Sequence, residues 1–312
     1  MPIKDAMNNP HSDRVKRILA LQKSNTRDAS RFLIEGPQNV REAVKYASDA
    51  ITDIYVLEDA VGYVSESYES NGSLANHTLQ TLRKIVEDSL EKQCYVHPAS
   101  AEVMRKISPD SQGIVAVAKS DFMENRWNAS LEKLKNSSEN SSENIFENKK
   151  SRFALCWQVR DPGNAGAIIR VADVAGCDAV IFLDDCVSRW NTKLIRSTAG
   201  SLFHIPVSTM SVNEWFEFAN KRKVYTVAAD VYGTESKKPI YLPDLLAQAD
   251  LDKKSIAILF GNEARGLTKE ILNRVDEISM IPIYGKAESM NLATSAAVML
   301  MCVAMSSHKR KM

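Results

Sequence analysis

The chain has 312 residues, of which 44% are hydrophobic and 25% charged, with a formal net charge of +1. This composition describes an ordinary soluble globular protein long enough for about two domains, and it excludes a globally basic chain while leaving room for a local basic face. No stretch of about 18 apolar residues occurs and no apolar run follows Met1, so no membrane span or signal peptide is expected and the expected location is cytoplasmic.

The first half reads as a small α/β domain. Ser12 is placed to cap a helix with Val15, Ile18 and Leu19 on one face. Around it Arg14, Lys16, Arg17, Lys23, Arg27 and Arg31 face only Asp13 and Asp28, which is either a solvated helix face or a set of phosphate contacts. A strand beginning at Arg31 is broken by Gly36-Pro37, and a helix follows with Val40, Ala43, Val44 and Ala47 at helical spacing. Next come a strand over Ile51–Leu57, a loop over 65–76 and a helix marked by Leu79, Leu82, Ile85 and Val86. Strands at Tyr95-Val96 and Gly113–Ala118 flank a short helix. The polar run Asn136-Ser-Ser-Glu-Asn-Ser-Ser-Glu-Asn144 has no apolar residue to fold around and reads as a flexible linker. The expected domains are 1–125 and 151–312, with the linker over 126–150.

The second half alternates strand and helix, as parallel-sheet α/β domains do. Strands are expected at Phe153–Val159, Ala179–Leu183, Phe203–Val207, Val224–Ala229, Ser255–Phe260 and Ile278–Ile283. A helix over Ala165–Ala175 should stop at Gly176, others lie around Trp215 and Leu245, and an apolar helix covers Leu292–Met305.

Three loops carry polar residues at the ends of these strands, where open α/β sheets bind ligands. The first, Arg160-Asp-Pro-Gly-Asn164, leads into the helix that bears Arg170. Six helical residues turn through roughly 600°, so Asn164 and Arg170 converge only if Asn164 precedes the helix. The second, Gly261-Asn-Glu-Ala-Arg-Gly-Leu267, offers Glu263 either to Arg265 or to a substrate. The third, Glu288-Ser-Met-Asn291, offers Ser289 and Asn291 as helix caps or as site residues. Neither Gly-x-Gly-x-x-Gly nor a phosphate-binding Gly-x-x-x-x-Gly-Lys-Ser/Thr is present. The five histidines are scattered and the five cysteines show no Cys-x-x-Cys spacing, so no metal site, triad or disulfide framework is expected.

Together the three loops resemble the motifs of the SpoU family of S-adenosylmethionine-dependent RNA ribose 2′-O-methyltransferases. Asn164, Gly166 and Arg170 match Asn-x-Gly-x-x-x-Arg. Gly261, Glu263, Gly266 and Leu267 match Gly-x-Glu-x-x-Gly-Leu. Ile281-Pro282, Gly285, Ser289 and Asn291 match the third motif, with Met290 for its usual Leu and Leu292 for its usual Val. Lys193–Pro206, Arg31–Gly36 and Gln112–Ala116 are similar to further family segments. The resemblance implies a parallel-sheet α/β catalytic domain of the SPOUT superfamily with a deep C-terminal trefoil knot, and a small N-terminal α/β domain that binds the RNA substrate. It implies homodimers with the cofactor site at the subunit interface. It implies a catalytic neighbourhood of Arg170, Asn164, Glu263, Ser289 and Asn291, and binding of S-adenosyl-L-methionine by backbone groups of Gly261, Ile281 and Met290. The expected RNA contacts are Arg14, Lys16, Arg17, Arg31 and Arg196. Ribosomal RNA is favoured over tRNA as the target. The competing readings are a non-catalytic RNA-binding or ribosome-assembly protein with the same fold and, more weakly, a nicotinamide-dependent oxidoreductase.

Overall fold

The computed structural model describes residues 3–23, 30–61, 76–139 and 150–307. Residues 65–75 of the expected loop and the polar segment from Asn140 lie outside them. In chain order the first elements are α1 (Asp13–Lys23), β1 (Arg31–Glu35), α2 (Pro37–Ala47), β2 (Ile51–Leu57), α3 (Asn76–Glu91), β3 (Val96–Ala99), α4 (Ala101–Ile107), β4 (Ile114–Lys119) and α5 (Asp121–Glu139). There follow β5 (Arg152–Trp157), α6 (Pro162–Val174), β6 (Ala179–Leu183), α7 (Thr192–Ser197), β7 (Val207–Met210), α8 (Val212–Arg222) and β8 (Val224–Ala229). The last are β9 (Ile240–Tyr241), α9 (Leu242–Leu246), β10 (Ser255–Phe260), α10 (Lys269–Arg274), β11 (Glu277–Met280) and α11 (Leu292–Ser307).

Two compact units form, Met1–Phe122 with Ser188–His204, and Met123–Val187 with Ile205–Met312. In the first, a mixed sheet runs β1-β4-β2-β3, with β4 antiparallel to both of its neighbours. Helix α1 docks on it through buried Val15 and Ile18, and Ser12 Oγ accepts from Val15 N at 3.4 Å, the expected cap. Helix α2 starts where Gly36 takes φ +88° and Pro37 occupies the first turn, which needs no donor there.

The segment 188–204 is part of this first unit although it lies between β6 and β7 in the chain. The Trp190 ring stacks on Phe32 with centroids 4.4 Å apart, and Phe203 stacks on Phe122 at 6.0 Å. Leu194, Ile195 and Leu202 are fully buried. A single cut at the polar segment therefore does not separate the units. Residues 126–139 of the expected linker form part of helix α5, which buries Trp127 against Phe218 of the second unit.

The second unit is built on a parallel sheet of seven strands in the order β7-β6-β5-β10-β8-β11-β9. From β5 the chain winds outward to β6 and β7, then returns so that β10 lies between β5 and β8. That order reverses beside β5, and the loops that leave β5 and β10 become neighbours at the carboxyl edge. Helix α11 packs against α6.

The strand expected over Phe153–Val159 ends at Trp157, the one expected at Tyr95-Val96 runs Val96–Ala99, and two further strand expectations change at prolines. The strand expected over Phe203–Val207 is a 3-10 turn, Ser201–Phe203, followed by β7 from Val207; Pro206 has no N–H to give a ladder and uses only its carbonyl, to Val180 N at 3.0 Å. The strand expected over Ile278–Ile283 ends at Met280, ahead of Ile281-Pro282. Helix α6 also starts earlier than expected: Asp161 caps it, accepting from Asn164 N at 2.8 Å, and Pro162 opens the first turn. Asn164 is thus inside the first turn of α6. Among the described residues no helix is long and apolar enough to cross a membrane, and no group of three His, Cys, Asp or Glu is placed to hold a metal ion.

A fragment starting at Lys150 exposes Trp190, Leu194, Ile195, Leu202 and Phe203, which the first unit buries. We expect it to be aggregated or to bind a hydrophobic dye strongly, whereas the full chain stays monodisperse. A monodisperse, cooperatively melting fragment in size exclusion and calorimetry would show that the segment 188–204 does not need the first unit.

Candidate active site and nucleic-acid interface

The site in the second unit is tied together by Glu263. Its carboxylate accepts from the peptide N–H groups of Arg160 (3.3 Å) and Asp161 (3.1 Å) and from the Asn164 side-chain amide (3.4 Å). The first peptide groups of a helix have no partner within the helix, so an anion at this position meets an existing need. The Asn164 side-chain carbonyl accepts from Asn291 Nδ2 at 3.1 Å. The opposite end of the Asn291 amide, Oδ1, accepts from Ala293 N (2.9 Å) and Thr294 N (3.3 Å), so one side chain both caps α11 and closes the link to α6. Residues from all three loops thus form one chain of hydrogen bonds, Glu263 to Asn164 to Asn291.

The loop after β10 holds a fixed shape. Asn262 is buried; its Nδ2 donates to the Gln158 carbonyl at 2.8 Å and its Oδ1 accepts from Ala264 N and Arg265 N at 3.1 and 3.2 Å. Gly261 is required by close approach: a Cβ there would stand 2.7 Å from the Gly266 carbonyl carbon. Gly266 takes φ +63°, where L side chains are strained. Asp161 was not singled out from the sequence; an Asp-Pro pair ahead of an apolar run is the signal that could have marked the helix start.

Beside this loop opens a cleft of about 740 Å³. Its walls include Asn164, Gly261, Glu263, Ile281, Ser289, Met290 and Asn291, together with Asp230 and Tyr232. Of the expected catalytic set, Asn164, Glu263 and Asn291 are bonded to one another, and Ser289 lies in the same wall. Arg170 is elsewhere. It is exposed on α6, is not part of the cleft wall, and has no hydrogen-bond or ion-pair partner among the described residues. With both residues in the helix, Asn164 and Arg170 point to different sides of it. The face of Arg170 continues to Val174, one turn on and 67% exposed.

In the first unit, the charges of Arg14, Arg17 and Arg31 act on buried Tyr55. Burial, and then Asp53, push the Tyr55 hydroxyl up to about 12 while the three arginines oppose that shift. Arg14 Nη1 donates to His97 Nδ1 at 3.2 Å. A guanidinium can only donate, so the other ring nitrogen carries the proton and donates to Asp53 Oδ1 at 2.7 Å. That hydrogen bond holds the Asp53 carboxyl below the usual range. Arg31 stands opposite Lys119 across antiparallel strands, and both are exposed. Like charges so placed repel. Lys16 is paired with Asp13 at 3.0 Å. Arg196 is bound to the buried Glu35 at 2.8 Å and to Asp110 at 3.3 Å, so it neutralises a carboxylate inside the fold.

Residues 152–301 match the SpoU rRNA Methylase family. They belong to it. The chain is 34% identical over 149 residues to the 23S rRNA (guanosine(2553)-2′-O)-methyltransferase RlmP of Bacillus subtilis, covering 48% of this chain and 56% of that protein. It is 31% identical over 140 residues to the 23S rRNA (uridine(2479)-2′-O)-methyltransferase of Streptomyces viridochromogenes, covering 45% and 47%. The chain spans about half the length of the curated relatives it matches. In fold it is similar to the AdoMet-bound rRNA methyltransferase from Sinorhizobium meliloti, with a TM-score of 0.70 at 21% identity over 97% of this chain and 98% of that one. It is also similar to the SpoU methyltransferase AviRb from Streptomyces viridochromogenes in complex with AdoMet, with a TM-score of 0.67 at 19% identity over 94% and 98%.

The double use of Asn291 gives a test. Asn291→Asp keeps the capping oxygen and removes the donor to Asn164; Asn291→Ala removes both. We expect Asn291→Ala to lose about 1 kcal/mol of unfolding free energy in denaturant melts, and Asn291→Asp to lose less. Equal losses would show that the cap contributes nothing.

Proposed function

We propose that the protein transfers the methyl group of S-adenosylmethionine to a ribose 2′-hydroxyl of RNA, with ribosomal RNA the favoured substrate and cytoplasm the favoured setting. The observation that carries this reading is the hydrogen-bonded set Asn164, Glu263 and Asn291 on the wall of the cleft, one residue from each of the three SpoU motifs. The two named relatives that methylate a 2′-oxygen of 23S rRNA support it.

The cleft suits the cofactor. Its volume is in the range of small-molecule sites. Leu267, Met299 and Ile281 give it apolar walls for an adenine, and Asp230 and Glu263 add carboxylates compatible with a cationic sulfonium. The peptide groups of residues 281–290 make no backbone–backbone hydrogen bonds among the described residues, which leaves them open to a ligand. Gly261, Ile281 and Met290 would hold it through such groups. When bound, the cofactor supplies an electrophilic methyl on a good leaving group.

What the chain must supply is alignment of the ribose oxygen with that methyl and help with the hydroxyl's charge. Glu263 and Asn291 act as positioning residues, since their polar atoms are engaged with the α6 and α11 termini. Ser289, in the wall and exposed, is free to meet the ribose. Arg170 orients the 2′-hydroxyl and stabilises developing negative charge; a guanidinium is a donor and a poor base. Because Arg170 is absent from the wall of its own cleft, it needs a second copy to come into play. Val174 beside it and Met305 on α11 are 67% and 59% exposed, an apolar face that a homodimer would cover. Arg14, Arg17, Arg31 and Lys119 provide the phosphate contacts of a first unit that binds RNA.

Purified full-length protein incubated with ribosomal RNA and labelled cofactor should transfer methyl groups. Arg170→Ala and Arg170→Lys should bind S-adenosylmethionine normally in calorimetry and lose about 10²-fold or more in transfer. Normal turnover by a folded Arg170→Ala variant would remove this arginine from the chemistry.

Val174→Glu together with Met305→Glu should turn a dimer into a species of 34.7 kDa in light scattering. A wild-type chain already at that mass at micromolar concentration would contradict the dimer.

A further inference from the structure

A second groove, of about 610 Å³, continues from the cleft and has no part in the chemistry above. Val231, Met280 and Ile283 line both, so the two are one continuous depression. Its rim is aromatic. Tyr284 is 93% exposed and Tyr241 51%, while Tyr232 on the cleft side is 78% exposed. These three surround one channel at the carboxyl edge of the sheet.

The turn that presents Tyr232 is built to be rigid. Asp230 Oδ1 accepts from Tyr232 N and Gly233 N at 2.9 and 2.7 Å. Gly233 takes φ +65°, and a Cβ there would lie 2.5 Å from the Lys237 carbonyl oxygen. Thr234, itself buried, donates to Asn273 Oδ1 at 3.0 Å, and its backbone N–H donates to the Lys237 carbonyl at 2.9 Å. A turn held at each residue thus carries one large apolar ring into water. Burial cannot explain that ring, and a stacking partner can. Lys286, two residues beyond Tyr284, and Lys269 and Arg265 in the cleft wall supply positive charge along the same path. Asp244 and Glu288, also in the groove, can accept from base amino groups.

We propose that Tyr232 and Tyr284 are stacking platforms for the nucleobases of an unpaired RNA strand, holding the target base and its neighbour while the ribose between them meets the cleft. This rests on the methyltransferase reading and adds the substrate form, single-stranded or unstacked RNA. Bases stack on aromatic rings with little sequence preference, so the platforms set position and leave sequence choice to other contacts.

The test uses the full chain with S-adenosylhomocysteine and a short single-stranded RNA of mixed sequence carrying 2-aminopurine. Wild type should quench the 2-aminopurine fluorescence on binding. Tyr232→Ala and Tyr284→Ala should each weaken RNA binding by about tenfold, while Tyr232→Phe and Tyr284→Phe bind as wild type does. Cofactor affinity in calorimetry should be the same for wild type and the Tyr284 variants, whose ring is outside the cofactor cleft. Wild-type RNA affinity in the Ala variants would overturn the proposal. So would a loss confined to cofactor affinity, which would assign the rings to the cofactor's adenine, or a change of mass in light scattering, which would assign the groove to a second copy. A wild-type chain that binds no cofactor and methylates no RNA would instead defeat the methyltransferase reading itself.

Discussion

The carboxylate of Glu263 is the contact on which the arrangement of the second unit's loops depends. It lies on the loop after β10 and takes its donors from the turn after β5, at the start of α6. Two of those donors, at Arg160 and Asp161, are peptide N–H groups that the helix itself does not satisfy. Asn164, held by Glu263 on one side, holds Asn291 on the other, and Asn291 caps α11. Removing the carboxylate would therefore loosen the ends of two helices as well as one loop. The sheet order makes the contact possible, because β10 is inserted beside β5 and brings their carboxyl-terminal loops together.

The same constraint explains the economy of the loop residues. Gly261 and Gly266 let two strands of backbone approach more closely than any side chain permits, and Asn262 ties the loop down to Gln158. With the loop fixed, the part of the cleft wall that it forms is fixed before any ligand arrives. Binding then orders few groups, which is the condition for using alignment to accelerate a reaction. Arg170, to which the proposed function gives the chemical role, is outside this fixed network, on an exposed and partly apolar helix face. The proposed function divides the work between a cleft in each chain and an arginine that assembly would place.

Much of this was legible in the chain of letters. The bounds of β2, β6, β8 and β10 coincide with those read from apolar runs that end at turn residues. The three motif loops fall at the ends of their strands as expected. Most of what failed was either proline chemistry or long-range packing. Pro206 and Pro282 moved strand ends because each lacks a donor, and Asp161-Pro162 started a helix ahead of the first apolar residue. The place of Trp190, Ile195 and Phe203 in the first unit has no local signature, since an apolar residue does not state which core it joins. Arg196 looked like a phosphate contact because nothing near it in sequence shows that Glu35 is buried and needs a partner. Tyr232 passed unnoticed because its meaning lies in exposure, which sequence does not give.

Nucleoside mass spectrometry on ribosomal RNA, after incubation with the full-length protein and S-adenosylmethionine carrying a heavy-isotope methyl, tests the central claim most directly. The account predicts the heavy methyl on a ribose, recovered as a 2′-O-methylnucleoside, and none without the protein. Heavy methyl on a nucleobase, or none on any RNA while the cofactor binds, would contradict it.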